Sequence, residues 1–127
     1  MSTNVGVVQI STAVYPEEYP YSPSEAYPEY PFPDQIATSM NLVYDGVRRL
    51  FIELGLDAPN VNTAAWNPLG ELIKPGMKIV LKPNFVRSRH YEGKDPYSMI
   101  THPSVLRAVQ RKLRLHQPER TAAARHR

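Results

Sequence analysis

The chain has no cysteine, no basic residue in its first 34 positions and no long apolar run. Without cysteine, its 127 residues cannot form a disulfide, a thiolate zinc site or a cysteine-held iron–sulfur cluster. The start, MSTNVGVVQIS, lacks the basic residues of a secretory signal, and no stretch approaches the roughly 18 apolar residues that a membrane span needs. We therefore expect a cytoplasmic protein with no membrane partner.

Proline and charge are both unevenly distributed. Six of the thirteen prolines fall between positions 16 and 33, where YPEEYPYSPSEAYPEYPFPD alternates tyrosine with proline and acids. Proline restricts the backbone and removes a hydrogen-bond donor, so this stretch, the Pro/Tyr-rich leader, predicts a long loop. Its acids contrast with seven bases between positions 107 and 127. The two ends could attract each other, or the basic end could attract a polyanion.

Two apolar stretches predict β-strands. Residues 5–11 (VGVVQIS) are β-branched and apolar on both faces, and residues 78–81 (KIVL) follow a Pro-Gly turn. Each precedes a helical pattern, and this order is that of an α/β unit. We expect an α/β fold, a partial open sheet with parallel strands and a crossover helix, in an incomplete domain with the Pro/Tyr-rich leader loop. The open sheet edges could support self-association.

Two periodic stretches predict helices. Apolar residues recur at helical spacing from position 36 to 54, so we expect a helix that Asp34 caps and Gly55 ends. A second helix should open at Pro103. Its cap is expected at Thr101 or His102, and its buried positions at Val105, Leu106 and Val109.

Aromatic and proline residues outside the helices have two interpretations. The spacings of Pro20 with Pro23 and of Pro28 with Pro31 could form a ligand for an aromatic-grooved module. Alternatively, the tyrosines of this acidic strip pack against the domain that follows, which we favour because such ligands usually carry a basic flank. Trp66 lies in a connector rich in turn residues, and we expect it to cover the core.

Polar residues that could bind an anion follow the second strand. Pro83 would end strand pairing and aim Asn84 out of the sheet, and Lys82 supplies a cation. Backbone N–H groups near Thr101 and His102 would add donors. Because ligands of open α/β sheets lie beyond the carboxyl ends of the strands, Lys82, Asn84, Thr101 and His102 form the candidate site for phosphate or carboxylate. The alternative is a solvated strand end followed by a turn.

Three ordered motifs resemble a known family. LIKPGMKIVLKPNFV and ITHPSVLRAV, with the leader before them, resemble the N-terminal part of the domain of unknown function 362 family over residues 5–110. Members show a Pro-Gly turn, an apolar strand ending in Lys-Pro-Asn, and a Thr-His-Pro helix start. The resemblance implies the same four site residues. It does not transfer the iron–sulfur clusters of some relatives, because this chain lacks cysteine, so the cofactor is unknown.

The sequence departs from that family after about Gln110. Relatives continue into another strand and a loop containing Gly-Asp, whereas this chain continues as RKLRLHQPERTAAARHR. We interpret residues 1–110 as the N-terminal part of a family-362-like domain. We interpret residues 111–127 as a basic tail, disordered or foreign to the family, of the kind that a frameshift or premature stop produces.

The sequence is compatible with two functional classes, and it does not determine whether the protein is an enzyme. The first is a fragment of a cofactor- or anion-binding domain without independent catalysis, whose partner is an anionic small molecule. The second is a non-enzymatic interaction protein that uses the acidic Tyr/Pro strip or the basic tail. We do not expect a nucleic-acid partner, because the tail lacks interleaved aromatics. No metal is expected, since the spacing of His90, Glu92, Asp95 and His102 matches no ligand motif.

Overall fold

Two packed α-helices organise the computed structural model of the chain. The structure describes residues 3–12, 14–85 and 92–114. Helix α1 spans Leu42–Glu53 and helix α2 spans Pro103–Arg114, and the two are in contact. Short 3-10 helices lie at Ala58–Asn60 and Pro96–Ser98. In these ranges, neither α-helix is long and apolar enough to cross a membrane.

The expected α/β fold is wrong. Within the described ranges there is no strand or sheet, and residues 5–11 and 78–81 lie outside regular secondary structure. A β-branched composition forms a strand only when a neighbour pairs with its backbone. No backbone hydrogen bond joins these two described segments. Residues 5–11 instead pack against α1. Gly6 lies so close to Leu54, the C-cap of α1, that a Cβ added at position 6 would be 2.9 Å from Leu54 Cγ. The parallel strands, crossover connection and open sheet edges are therefore absent from the described residues as well.

Helix α1 begins later than its apolar periodicity indicates. The expected cap, Asp34, is exposed, and the observed N-cap is Asn41, whose side chain accepts a hydrogen bond from the backbone N–H of Tyr44 at 3.0 Å. The Asn41 amide also donates to the carbonyl oxygens of Tyr21 and Ser22 in the leader at 3.2 and 2.9 Å. A tertiary contact to the leader therefore sets the start of α1.

Glu18 of the leader holds the residues that precede α1 in a non-helical conformation. Its carboxylate accepts hydrogen bonds from the backbone N–H groups of Thr38 and Ser39 and from both hydroxyls. These bonds, the backbone one from Thr38 first, lower the pKa of Glu18 to about 2. In a helix, the N–H groups of Thr38 and Ser39 would donate to carbonyl oxygens four residues earlier. Because they donate to the Glu18 carboxylate instead, the helix does not extend back to position 36.

The end of α1 confirms the sequence prediction. Gly55 has a φ of 72°, and its N–H donates to the Ile52 carbonyl at 2.9 Å. The Leu56 N–H donates to the Phe51 carbonyl at 3.2 Å. This pair of bonds is the Schellman arrangement, in which a left-handed glycine closes the last turn.

Helix α2 starts where expected but buries a different face. Pro103 opens it after a His102 cap, as the sequence predicts. The expected buried positions Val105, Leu106 and Val109 are only partly buried. The buried side of the described helix consists of Ser104, Ala108, Arg111 and Lys112. The small residues Ser104 and Ala108 permit close packing. The long side chains of Arg111 and Lys112 reach Phe32 and Glu29 outside the helix.

The Pro/Tyr-rich leader packs on the helices, which confirms the packing interpretation. Tyr30 is 5% exposed and forms the aromatic core with Tyr44 and Ala108. Trp66 covers this region as expected, since it is 1% exposed and its Nε1 donates to the Leu56 carbonyl at 2.9 Å. A chain with few aliphatic core residues is thus held together largely by aromatic rings.

Candidate functional site

Residues 78–82 form an extended segment without helix, turn or bend, and all five residues are exposed. Ile79 and Leu81 are 40% and 38% exposed, whereas Val80 between them is 88% exposed. Successive side chains of an extended chain point to opposite faces, so Lys78 and Lys82 share the face of Val80. Both lysines are exposed. We call this row the Lys-Val-Lys face.

The backbone of this segment is not paired with any other described part of the chain. In the described part of the chain, no hydrogen bond involves the N–H or C=O groups of residues 78–83. The preceding turn is closed by the Met77 N–H, which donates to the Lys74 carbonyl at 3.2 Å. Exposed backbone groups of this kind can pair with another extended chain.

The two lysines of the Lys-Val-Lys face lack an ion-pair partner among the described residues. Neither Lys78 nor Lys82 forms an ion pair with any residue of the described ranges. Lys74 differs from them, because its Nζ donates to the Gly70 carbonyl at 2.9 Å. Among the described residues, the face therefore consists of two exposed, unpaired positive charges on either side of Val80.

Two residues of the predicted anion site are joined through their backbones. The Thr101 N–H donates to the Asn84 carbonyl at 2.9 Å, and the Asn84 N–H donates to the Thr101 hydroxyl at 3.1 Å. This reciprocal pair anchors the chain directly after Pro83 to the start of α2. Lys82 lies exposed two positions earlier.

At the start of α2, the backbone donors of Thr101, Ser104 and Val105 are already used. The Thr101 N–H bonds to Asn84, and Pro103 has no N–H. The Ser104 N–H donates to His102 Nδ1 at 3.1 Å, and the Val105 N–H donates to the His102 carbonyl. Binding of a small anion by Lys82, Asn84, Thr101 and His102 therefore stays a prediction.

His102 caps α2 with its imidazole ring. Because a backbone N–H must donate, Nδ1 carries no proton, and the Ser104 hydroxyl lies 2.8 Å from the same nitrogen. The ring stacks on Tyr15 at 4.3 Å and meets the edge of Tyr97 at 4.4 Å between centroids. Burial lowers the pKa of His102, while Asp95 opposes that effect. The neutral ring is thus the form that the fold requires.

Sequence reasoning missed the aromatic surroundings of His102. Tyr15 and Tyr97 are 82 positions apart, and the Tyr15 hydroxyl donates to the Tyr97 carbonyl at 3.4 Å. No local pattern reports such a contact. The cap itself was expected at Thr101 or His102, and the structure assigns it to His102.

A buried ion cluster joins the leader to both helices. Glu29 Oε1 accepts from Arg48 Nε at 2.6 Å and from Lys112 Nζ at 2.9 Å. Burial would raise the pKa of Glu29, but the bonds from the two cations outweigh it and lower that pKa. Burial lowers the pKa of Lys112, although Glu29 opposes this. The predicted attraction between the acidic leader and the basic end is realised in this pair. Because loss of one member would leave a buried charge without its partner, we assign the cluster a structural role.

Metal-ligand groups and cavities among the described residues would be further candidate sites. These residues contain no group of three or more His, Asp or Glu side chains that could hold a metal ion, and His90 lies outside the described residues. An open cavity of about 380 Å³ lies between Leu56 and the turn that ends at Gly70. Two acids line it, Asp57 and Glu71, and Asp57 already accepts hydrogen bonds from the Asn60 side chain and the Asn67 N–H.

Comparisons with known proteins supply no relative, since no protein family, no curated protein and no solved structure matches the chain. Membership of the domain of unknown function 362 family therefore stays a prediction. So does the division at Gln110, although α2 continues to Arg114 and buries Arg111 and Lys112. The rest of the predicted basic tail, residues 115–127, lies outside the described residues.

Proposed function

We propose that the protein is a non-enzymatic binding module that accepts an extended polypeptide strand alongside residues 78–82. The observation that carries the proposal is the segment's unpaired backbone, which borders an exposed apolar side chain. Strand addition uses main-chain hydrogen bonds for affinity and alternate side chains for specificity, and this segment offers both. Its length is that of an ordinary strand in a globular protein.

The anchoring of the segment supports this proposal. A turn closes before Lys78, and the Asn84–Thr101 pair closes after Pro83. A segment held at both ends loses little conformational entropy when a strand pairs with it. Pro83 limits the pairing to the residues before it, because proline lacks a donor.

The proposal keeps the expected class of non-enzymatic interaction protein. It places the binding surface on residues 78–82 instead of on the acidic Tyr/Pro strip or the basic tail. The acidic Tyr/Pro strip is a poor candidate, because Pro23, Glu29 and Tyr30 are buried against the helices. Surfaces used for packing are not free to bind a partner. A cytoplasmic location is kept as a prediction from composition alone.

Amide hydrogen exchange tests the proposed function. Peptides rich in threonine and valine, which favour extended structure, are added to the full chain. We expect slower exchange at residues 79–82 on peptide addition, and no such change with peptides whose alternate amides are N-methylated. Unchanged exchange at these residues, up to the solubility limit of every peptide, would show that the segment does not accept a strand.

A pair of exposed valines supplies a matched control. Val80→Pro removes a backbone donor from the proposed binding segment, whereas Val7→Pro makes the same change in the other extended segment. Val80 and Val7 are 88% and 79% exposed, so neither substitution removes a packed side chain. We expect Val80→Pro alone to abolish peptide binding. Equal loss in both variants would contradict the assignment to residues 78–82.

A further inference from the structure

The spacing of charged and apolar side chains on the Lys-Val-Lys face restricts which strand sequences can pair with it. In an extended chain, Lys78 and Lys82 each stand two residues from Val80, which is about 6.6 Å along the segment. Side chains directly opposite on paired strands approach to about 5 Å, close enough for each ammonium to meet one carboxylate. The face is therefore a row with a positive, an apolar and a positive position.

A second copy of this segment is a poor occupant. In an antiparallel pair centred on Val80, Lys78 of one copy lies opposite Lys82 of the other, and like charges that face each other destabilise a strand pair. The other extended segment, residues 3–10, carries no charge and cannot neutralise the lysines. The occupant must therefore supply negative charge of its own.

We propose, on the basis of the strand-addition function, that the partner is an acidic extended segment of another protein. It carries a β-branched apolar residue with a carboxylate two positions before it and another two positions after it. The apolar residue packs on Val80, and the carboxylates pair with Lys78 and Lys82. Exposed lysines on an unpaired edge also repel strands of like charge, so the same residues exclude basic segments.

Three peptides of the same length test this assignment. The acidic probe is Thr-Glu-Thr-Val-Thr-Glu-Thr, and in the other two probes glutamine or lysine replaces both glutamates. Binding of each labelled peptide to the full chain is measured by fluorescence anisotropy at low and at physiological ionic strength. We expect the acidic peptide to bind about tenfold more tightly than the glutamine peptide at low ionic strength, with less difference at higher salt. The lysine peptide should not bind.

Charge-removing variants locate the contact. Lys78→Gln combined with Lys82→Gln should abolish the preference for the acidic peptide, whereas Lys74→Gln, at the lysine bonded to Gly70, should leave it unchanged. Fluorescence of the buried Trp66 checks that each variant is folded. Equal affinity for the acidic and glutamine peptides would overturn the charge assignment while leaving strand addition intact. Failure of all three peptides to bind would overturn both proposals and leave the lysines only a repelling role.

Discussion

Replacing Glu29 by glutamine should destabilise the protein far more than replacing Lys112 by methionine. Both cations bond to one carboxylate, and the exposed fractions of the Arg48, Lys112 and Glu29 side chains are 8%, 2% and 1%. The cluster therefore has a net charge of one positive unit. Glu29→Gln leaves two buried cations without a carboxylate, whereas Lys112→Met leaves a matched pair of Glu29 and Arg48.

The expected magnitudes differ enough to be separated. Removing the shared partner of buried charges costs about 3–5 kcal/mol. Methionine at position 112 keeps an unbranched chain beside Trp66, whose ring the Lys112 ammonium approaches to 4.6 Å, so we expect a change within about 1.5 kcal/mol. The loss expected for Glu29→Gln is a considerable part of the free energy of unfolding of a typical domain, which is roughly 5–15 kcal/mol.

Urea denaturation followed by tryptophan fluorescence measures this difference. Trp66 is the only tryptophan and is 1% exposed, so its emission reports loss of the packed cluster. Glu25→Gln is the control, since Glu25 is an exposed acid of the same leader. If Glu29→Gln is unfolded without urea, adding Lys112→Met should restore part of the stability by removing one unpaired cation. Losses from Glu29→Gln and Lys112→Met within about 1 kcal/mol of each other would refute the charge argument.

Three further predictions concern the helix ends and the first segment. The pKa of His102 is lowered in the folded state. The stability that the neutral ring contributes is therefore fully present above the unfolded-state pKa, near 6.5, and is lost as the pH falls through the folded-state pKa. For a helix cap, we expect this loss to be about 1 kcal/mol. His102→Asn should reduce the slope of unfolding free energy between about pH 7 and pH 5.5, and an unchanged slope would mean that another group titrates. Gly6→Ala should cost about 1–3 kcal/mol in urea denaturation, because the new methyl meets Leu54; a neutral result would contradict packing of this segment on α1. Gly55→Ala should cost about 1–2 kcal/mol through its φ of 72° alone, since nothing lies within 4 Å of the added Cβ, so a smaller loss would show that the left-handed cap is dispensable.

Local chemistry made some elements predictable. Pro103 can open a helix but not continue one, so the start of α2 was visible in the sequence. Gly55 favours the left-handed conformation that ends α1, and the Lys74-Pro-Gly-Met77 turn follows from proline and glycine preferences, with Gly76 at a φ of 87°. Each of these features depends on the conformational limits of one or two residues.

The missed features depend on partners that are distant along the chain. The start of α1 depends on Glu18 and on the leader carbonyls that Asn41 contacts. The candidate site was only partly predictable for the same reason. The Lys-Pro-Asn motif was visible, but the pairing of Asn84 with Thr101 and the aromatic surroundings of His102 were not.

By itself, the sequence determined the positions at which the backbone must turn, stop or begin a helix, because glycine and proline restrict or release their own dihedral angles. Only the tertiary structure decided whether the apolar segments became strands, because a strand needs a partner for its backbone hydrogen bonds. Without such a partner, residues 78–82 stay extended and unpaired in the described structure. Tertiary packing likewise decided that α2 buries Lys112, because a charge is buried stably only where a counter-charge such as Glu29 is within bonding distance.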